Sequence, residues 1–184
     1  MLDKNFDVEN AINTLNCLSG RMQNVSLGQK CKIIIDYAHT YDSLKNLLCT
    51  IKKISKNKNI IVFGCPGERD SYKRFKMGKL AGKFCEIVIC TSDNPASENA
   101  RRIMWEIKQG VSQTNAKCFF IENRKNAIKK ALCLADENTN VLIVGKGSET
   151  YQIVGDKRVF YNDFETVKKI ICGKWTKFDI LLWI

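Results

Sequence analysis

The stretch Ile87-Val88-Ile89-Cys90-Thr91-Ser92-Asp93-Asn94-Pro95-Ala96-Ser97-Glu98 decides how this chain is read. Its first four residues are apolar without alternation, the pattern of a strand covered on both faces. Beyond it, Ala100, Ile103, Met104, Ile107 and Val111 recur with a helical period. The polar residues between are therefore a strand-to-helix turn. Asn94 or Ser97 is placed to cap the helix, and Pro95 suits its first turn. Unpaired backbone N–H groups and the Asp93 carboxylate then meet at the edge where α/β sheets bind ligands. A capped turn without any ligand would carry the same residues, because every such connection needs one.

Working outward, the alternation continues. Apolar β-type runs occur at Ile33–Ile35, Ile60–Phe63, Ile87–Cys90, Cys118–Ile121 and Val141–Val144. Helical patterns fill the gaps: Leu44, Leu47, Leu48 and Ile51; Met77, Leu80, Ala81 and Phe84; the helix after Ala96; Ile128, Ala131, Leu132 and Ala135. Continuous apolar strands alternating with helices predict an α/β, Rossmann-like fold, a mostly parallel sheet flanked by helices. Tyr151–Val154 and Arg158–Tyr161 flank Gly155-Asp156-Lys157 as a C-terminal β-hairpin. Asp163 is expected to cap a last helix carrying Phe164, Val167 and Ile171. Upstream, Asn10 to Leu18 reads as a short helix and Ser19-Gly20-Arg21-Met22 as a turn. The divisions expected are residues 1–19, a main domain over 20–172, and a tail over 173–184 whose apolar end, Ile180 to Ile184, has no legible role.

Composition narrows the class. A chain of 184 residues is one domain, or one domain with a fragment of another. No apolar run is long enough to span a membrane, and the start lacks the apolar core of a secretory signal. Net charge is +11, but the lysines are scattered and no aromatic-and-basic strand appears, so a solvated basic face is expected and nucleic acid is not. Nine cysteines without C-x-x-C, and a single histidine, give no zinc spacing and no metal site. Cys90, Cys118, Cys133 and Cys172 read as small core residues, and a reducing cytoplasm fits such a set.

Four strand ends carry polar residues that a parallel sheet would bring to one rim: Asp36 to Thr40, Gly64 to Asp70, Asp93 to Ala96, and Gly145 to Glu149. Asp, Arg and Glu together there suit a zwitterion. No Gly-Lys pair is followed by Ser or Thr, so there is no P-loop, and no G-x-G-x-x-G exists. No Ser-His-Asp or Cys-His arrangement is defensible, so no catalytic residue is assigned within this chain.

In order along the chain stand Gly20-Arg21-Met22, Asp36-Tyr37-Ala38-His39-Thr40, Phe63-Gly64-Cys65, Gly67-Glu68-Arg69-Asp70, Lys73-Arg74, Met77-Gly78, Asp93-Asn94-Pro95, Gly145-Lys146-Gly147 and Tyr151-Gln152. This series resembles the C-terminal domain of the Mur ligases, MurE type, from about Asp7 to Thr166. Residues Asp7 to Leu18 resemble the last helix of that family's central ATPase domain. One departure is Gly-Lys-Gly-Ser-Glu in place of the usual Gly-Lys-Gly-His-Glu. Another is that the UDP-binding and ATPase domains are missing.

The resemblance implies an ATP- and Mg2+-dependent amide ligase that adds the third residue to UDP-N-acetylmuramoyl-L-alanyl-D-glutamate in peptidoglycan biosynthesis. It implies that the phosphate cradle and the metal ligands lie on the absent domains, so this chain alone holds no cofactor and is inactive. It marks Arg21, Asp36 and His39 as ATP contacts. It marks Arg69, Asp93, Asn94, Pro95, Ala96, Gly145 and Glu149 as contacts of the incoming amino acid, Arg69 taking its α-carboxylate. The plain alternative for Arg69 is a surface pair with Glu68 or Asp70. Relatives that use meso-diaminopimelate carry arginine where Ala96 stands, to pair with the distal carboxylate. Asp93 and Glu149 are both expected to be open to a distal ammonium, so L-lysine is expected over meso-diaminopimelate, with ornithine also fitting. A stand-alone amino-acid-binding module and a Rossmann-like domain with residual motifs are the competing readings.

Overall fold

The computed structural model describes residues 18–173. Of the helix expected over residues 10–18, only Leu18 falls within that range, and it is exposed. The apolar end over residues 180–184 lies outside the described residues. Six strands form one sheet in the order β1-β2-β6-β3-β4-β5. They are β1 (Gln23–Val25), β2 (Lys32–Asp36), β3 (Lys58–Phe63), β4 (Ile87–Cys90), β5 (Lys117–Phe120) and β6 (Thr139–Val144). Every pairing is parallel except β1 with β2. Among the described residues the helices are α1 (Tyr41–Ile54), α2 (Tyr72–Phe84), α3 (Ala100–Val111), α4 (Arg124–Leu134) and α5 (Asp163–Cys172). The expected hairpin is present as β7 (Tyr151–Val154) and β8 (Lys157–Phe160).

The strand pattern explains the layering. Alternate residues point to opposite faces, so Ile61, Phe63, Val88, Cys90, Leu142 and Val144 join one core with α1, α2 and α3. Ile33, Ile35, Ile60, Val62, Ile89, Val141 and Ile143 join a second core with α4 and α5. Ile103, Met104, Ile107 and Val111 are all buried, as their spacing predicts.

Where α2 crosses α3, two glycines face each other's backbone. A Cβ on Gly78 would stand 2.0 Å from the Ile107 carbonyl oxygen, and one on Gly110 would stand 2.0 Å from that of Phe75.

Several expectations are corrected. Neither Asn94 nor Ser97 caps α3: Asn99 does, accepting from the N–H groups of Arg101 and Arg102, and Pro95 lies in the loop before the helix. Asn162, not Asp163, caps α5. Asp163 is buried against Arg124 at 2.8 Å, so its carboxylate serves the core. Strand β1 gave no signal, being three residues with one buried side chain, Val25. Among the cysteines expected in the core, Cys90 is buried and Cys118 half-buried, but Cys133 and Cys172 are exposed. The eight described cysteines are free thiols. Burial pushes the Cys65 thiol up to about 12, so it stays protonated and inert.

Candidate functional site

Strands β2, β6, β3 and β4 are neighbours, so the loops leaving their carboxyl ends converge on one rim. At its centre lies Lys146, fully buried. Its Nζ donates to Asp93 Oδ1 at 3.1 Å, to Asn94 Oδ1 at 2.9 Å and to Glu149 Oε2 at 2.9 Å. Asn94 Nδ2 donates to the same Glu149 oxygen at 3.2 Å. One cation faces two carboxylates, so the cluster keeps a net negative charge. The backbone is shaped to allow this. Gly145 has φ of 111°, a conformation that L side chains rarely adopt, and a Cβ there would stand 3.0 Å from Asp93 Oδ2.

The Asp93–Ser97 turn is fastened on both sides. Toward the hairpin, the Ile153 N–H donates to Asn94 Oδ1 at 3.0 Å and the Gly155 N–H to the Ala96 carbonyl at 2.9 Å. The Gln152 amide donates to Ser92 Oγ at 3.1 Å and to the Asp93 carbonyl. Ala96 has φ of 50° and borders a groove of about 930 Å3 that Gln152, Val154 and Phe160 also line. Toward α2, the Gly67 N–H donates to the Asn94 carbonyl at 2.8 Å. Glu68 Oε1 accepts from Ser97 Oγ at 2.6 Å and from the Ser97 N–H at 3.2 Å, which holds the Glu68 carboxyl below its usual value. Arg74, 1% exposed, donates to both oxygens of Glu98 at 2.9 Å and to Glu106 at 2.9 Å. Burial pushes the Arg74 guanidinium down, but the bonds to Glu98 and Glu106 outweigh it, and the net shift is upward. Those bonds, then the Glu68 N–H, hold Glu98 below the usual glutamate range.

Arg69 follows on the same loop. It is exposed and has no ion pair among the described residues, so the surface pair with Glu68 or Asp70 is not formed. Asp70 instead accepts from the Tyr72 N–H at 2.9 Å.

A second group sits at the end of β2. Asp36 accepts from the Met22 N–H at 2.7 Å and from the Ala38 N–H at 2.8 Å, one on each oxygen. Its carboxylate thus shapes the loop. Arg21 lies over the Tyr37 ring at 5.0 Å, and His39 meets the same ring edge-on at 4.6 Å. The His39 Nδ1 lies 3.0 Å from the Tyr37 carbonyl.

The residues expected from the sequence therefore form two groups. Asp93, Asn94, Gly145 and Glu149 are in contact, with Pro95, Ala96 and Arg69 on the adjoining loops. Arg21, Asp36 and His39 gather around Tyr37. Asp93 and Glu149 differ from expectation, for both turn onto Lys146 and Asp93 is only 4% exposed. Lys146 is absent from the expected site residues, although Gly145-Lys146-Gly147 belongs to the motif series, because its partners Asp93 and Asn94 lie 53 and 52 residues away. Its signal was a lysine directly after a buried strand with a glutamate three residues on. Among the described residues no three His, Cys, Asp or Glu are gathered to hold a metal ion, and no helix is long and apolar enough to cross a membrane.

Fold and rim together define a Rossmann-like domain with a charged, polar rim at the carboxyl ends of its strands. The chain belongs to the Mur ligase family: residues 20–147 match the family model described as Mur ligase, glutamate ligase domain. It is 42% identical over 154 residues to the UDP-N-acetylmuramoyl-L-alanyl-D-glutamate–2,6-diaminopimelate ligase of Caldanaerobacter subterraneus subsp. tengcongensis, covering 84% of this chain and 32% of that protein. It is 48% identical over 143 residues to the ligase of the same name from Clostridium perfringens, covering 77% and 29%. A solved structure of a UDP-N-acetylmuramoyl-L-alanyl-D-glutamate–2,6-diaminopimelate ligase superposes with a TM-score of 0.78 at 34% identity, over 90% of this chain and 34% of that one. The chain spans about a third of the length of these relatives. Their names do not support the expectation of L-lysine; they point to diaminopimelate.

Proposed function

We propose that this chain is the amino-acid-receiving C-terminal part of an ATP-dependent ligase in peptidoglycan biosynthesis. The ligase joins 2,6-diaminopimelate to UDP-N-acetylmuramoyl-L-alanyl-D-glutamate. The observation that carries this is charge complementarity to an amino acid. Exposed Arg69 forms no ion pair among the described residues, and its loop is bonded through the Gly67 N–H to Asn94 of the half-open cluster of Lys146, Asp93, Asn94 and Glu149, whose charges sum to a negative value. A guanidinium grips a carboxylate in two parallel bonds, and the surplus negative charge favours an ammonium.

The reaction needs a carboxyl activated by ATP and an amine held to attack it. ATP and Mg2+, bound on the central domain of the complete ligase, supply the activation. Exposed Arg21, over the Tyr37 ring and in no ion pair among the described residues, suits a phosphate there, with His39 beside it. Asp36, with both oxygens on backbone N–H groups, positions that loop. This chain's residues then do what a positioning domain does: Arg69 and the Glu149 side of the cluster orient the amino acid so that its amine is held in reach. The proposed setting is the cytoplasm, where nucleotide and UDP-linked substrate are found.

The test joins residues 20–184 to the UDP-binding and ATPase domains of the Clostridium perfringens relative. Phosphate release is then followed with UDP-muramoyl-dipeptide, ATP, Mg2+ and each amino acid. Turnover with diaminopimelate is expected from the joined protein and none from the chain alone. Turnover by the chain alone overturns the reading. So does a joined protein that uses no diamino acid while the intact relative is active. Preference for L-lysine would return the specificity to the one first expected from Ala96.

A further inference from the structure

Diaminopimelate carries a carboxylate and an ammonium at each end. A site that selects it must meet a second carboxylate, which is costly to bury unpaired. Ala96, in the Asp93–Ser97 turn, offers no charge. The seven arginines of the chain are all within the described residues, so the supply can be surveyed. Arg74 and Arg124 are buried against a carboxylate, and Arg101 and Arg102 pair with Glu122 and Glu106 at the surface, Arg101 lining the groove that Ala96 borders. Arg21 lies over Tyr37 at the end of β2. Arg69 and Arg158 form no ion pair among the described residues.

Arg158 is placed by the hairpin. It lies directly across from Ile153 in the β7–β8 register. Ile153 is the residue that the Asp93–Ser97 turn holds twice. Its N–H donates to Asn94 Oδ1 at 3.0 Å, and its carbonyl accepts the Ala96 N–H at 3.4 Å. Ala96 also pairs in register with Val154. Arg158 is therefore one strand away from the backbone that carries Asn94 and Ala96. Tyr151 stands on the same hairpin face, two residues before Ile153 and two after Glu149 of the Lys146 cluster. The Arg158 guanidinium lies 4.8 Å from the centre of the Tyr151 ring. Such stacking fixes the plane of the group and leaves its N–H edge available, as a carboxylate site requires.

We propose, resting on the diaminopimelate reading above, that Arg158 is a specificity-determining residue. It receives the distal carboxylate of the amino acid, while Arg69 receives the carboxylate at the other end. The positive charge that Ala96 lacks is supplied from the neighbouring hairpin. L-Lysine, with no distal carboxylate, gains nothing from it.

The test titrates the 184-residue chain by calorimetry with meso-diaminopimelate and, separately, with L-lysine. It compares the unaltered protein, Arg158→Gln, and Arg158→Gln combined with Ala96→Arg. Arg158→Gln is expected to weaken diaminopimelate about ten- to a hundredfold, the usual loss for one charge-assisted bond, with lysine affinity unchanged. Adding Ala96→Arg is expected to recover diaminopimelate binding, which a merely disturbed hairpin would not allow. Unchanged diaminopimelate affinity in Arg158→Gln overturns the inference and leaves the ligase reading standing. Equal loss of both ligands without recovery by Ala96→Arg also overturns it, because the hairpin's integrity would then be what mattered. If the unaltered chain binds lysine more tightly, or binds neither amino acid, the diaminopimelate reading falls together with the inference.

Discussion

Lys146 and Arg124 are both fully buried cations near the carboxyl ends of the strands, and their surroundings differ in one respect. Arg124 hydrogen-bonds a single acid, with Asp93 near enough to act on its charge. Its Nε and Nη2 meet the two oxygens of Asp163 at 2.9 and 2.8 Å, and neither partner reaches solvent. Asp163 also accepts from the Tyr161 hydroxyl at 3.0 Å, and burial pushes that hydroxyl's pKa up, so Tyr161 stays neutral. Lys146 instead holds two acids and an amide, and one of those acids, Glu149, remains 22% exposed. The first arrangement is neutral and sealed. The second is negative and open on one side. A buried charge pair that balances itself holds the fold, whereas one left out of balance at an opening attracts a ligand.

Four changes would break or sharpen that contrast. The largest effect is expected for Asp163→Ala, which leaves Arg124 buried without its acid. Removing one partner of such a pair destabilises by about 3–5 kcal/mol, measurable as a fall in the urea midpoint without loss of the remaining rim contacts. Lys146→Met should cost toward the lower end of the same range, about 3 kcal/mol, because Asp93 is stranded but Glu149 can turn to water. Combining it with Asp93→Asn should recover much of that stability but not amino-acid binding. A Lys146→Met protein of full stability would mean that the two cations are not comparable. Gly145→Ala should cost about 1–3 kcal/mol by forcing a side chain into a disfavoured conformation, seen as a lower thermal midpoint together with weaker amino-acid binding.

The smallest effect concerns acid. Glu68 and Glu98 have folded values below their usual range. Their contribution is therefore complete above the unfolded glutamate value and is lost as pH falls through the folded values. Glu98→Gln should lower the thermal midpoint at pH 7 and have a shrinking effect as pH drops below 4.5, the ordinary glutamate value. A difference that stays constant to pH 3 would show that the clasp does not act through charge.

The sheet was readable because β2, β3, β4 and β6 are largely buried and the edge strand β5 is still apolar, so five apolar runs marked them directly. Their order is not written in the runs, and β1, with only Val25 turned inward, left no mark. The rim was readable as four polar loops. Its wiring was not, because a lysine paired across 53 residues to Asp93 looks in sequence like any surface lysine. The same limit explains Asp163, whose position after Asn162 suits a cap while its partner Arg124 lies 39 residues away. Arg158 carries no local signal at all, for its neighbourhood is made by the hairpin's register.

The reciprocal glycines Gly78 and Gly110 have a consequence for motion. With each helix backbone seated against the other's carbonyl, α2 and α3 cannot slide or roll past one another without a clash. The loops at their N-terminal ends carry Arg69 and the Asn94–Asn99 segment. Those loops must then travel as one piece, so under the proposed function Arg69 and the Asn94–Asn99 segment keep their spacing whatever the rest of the ligase does.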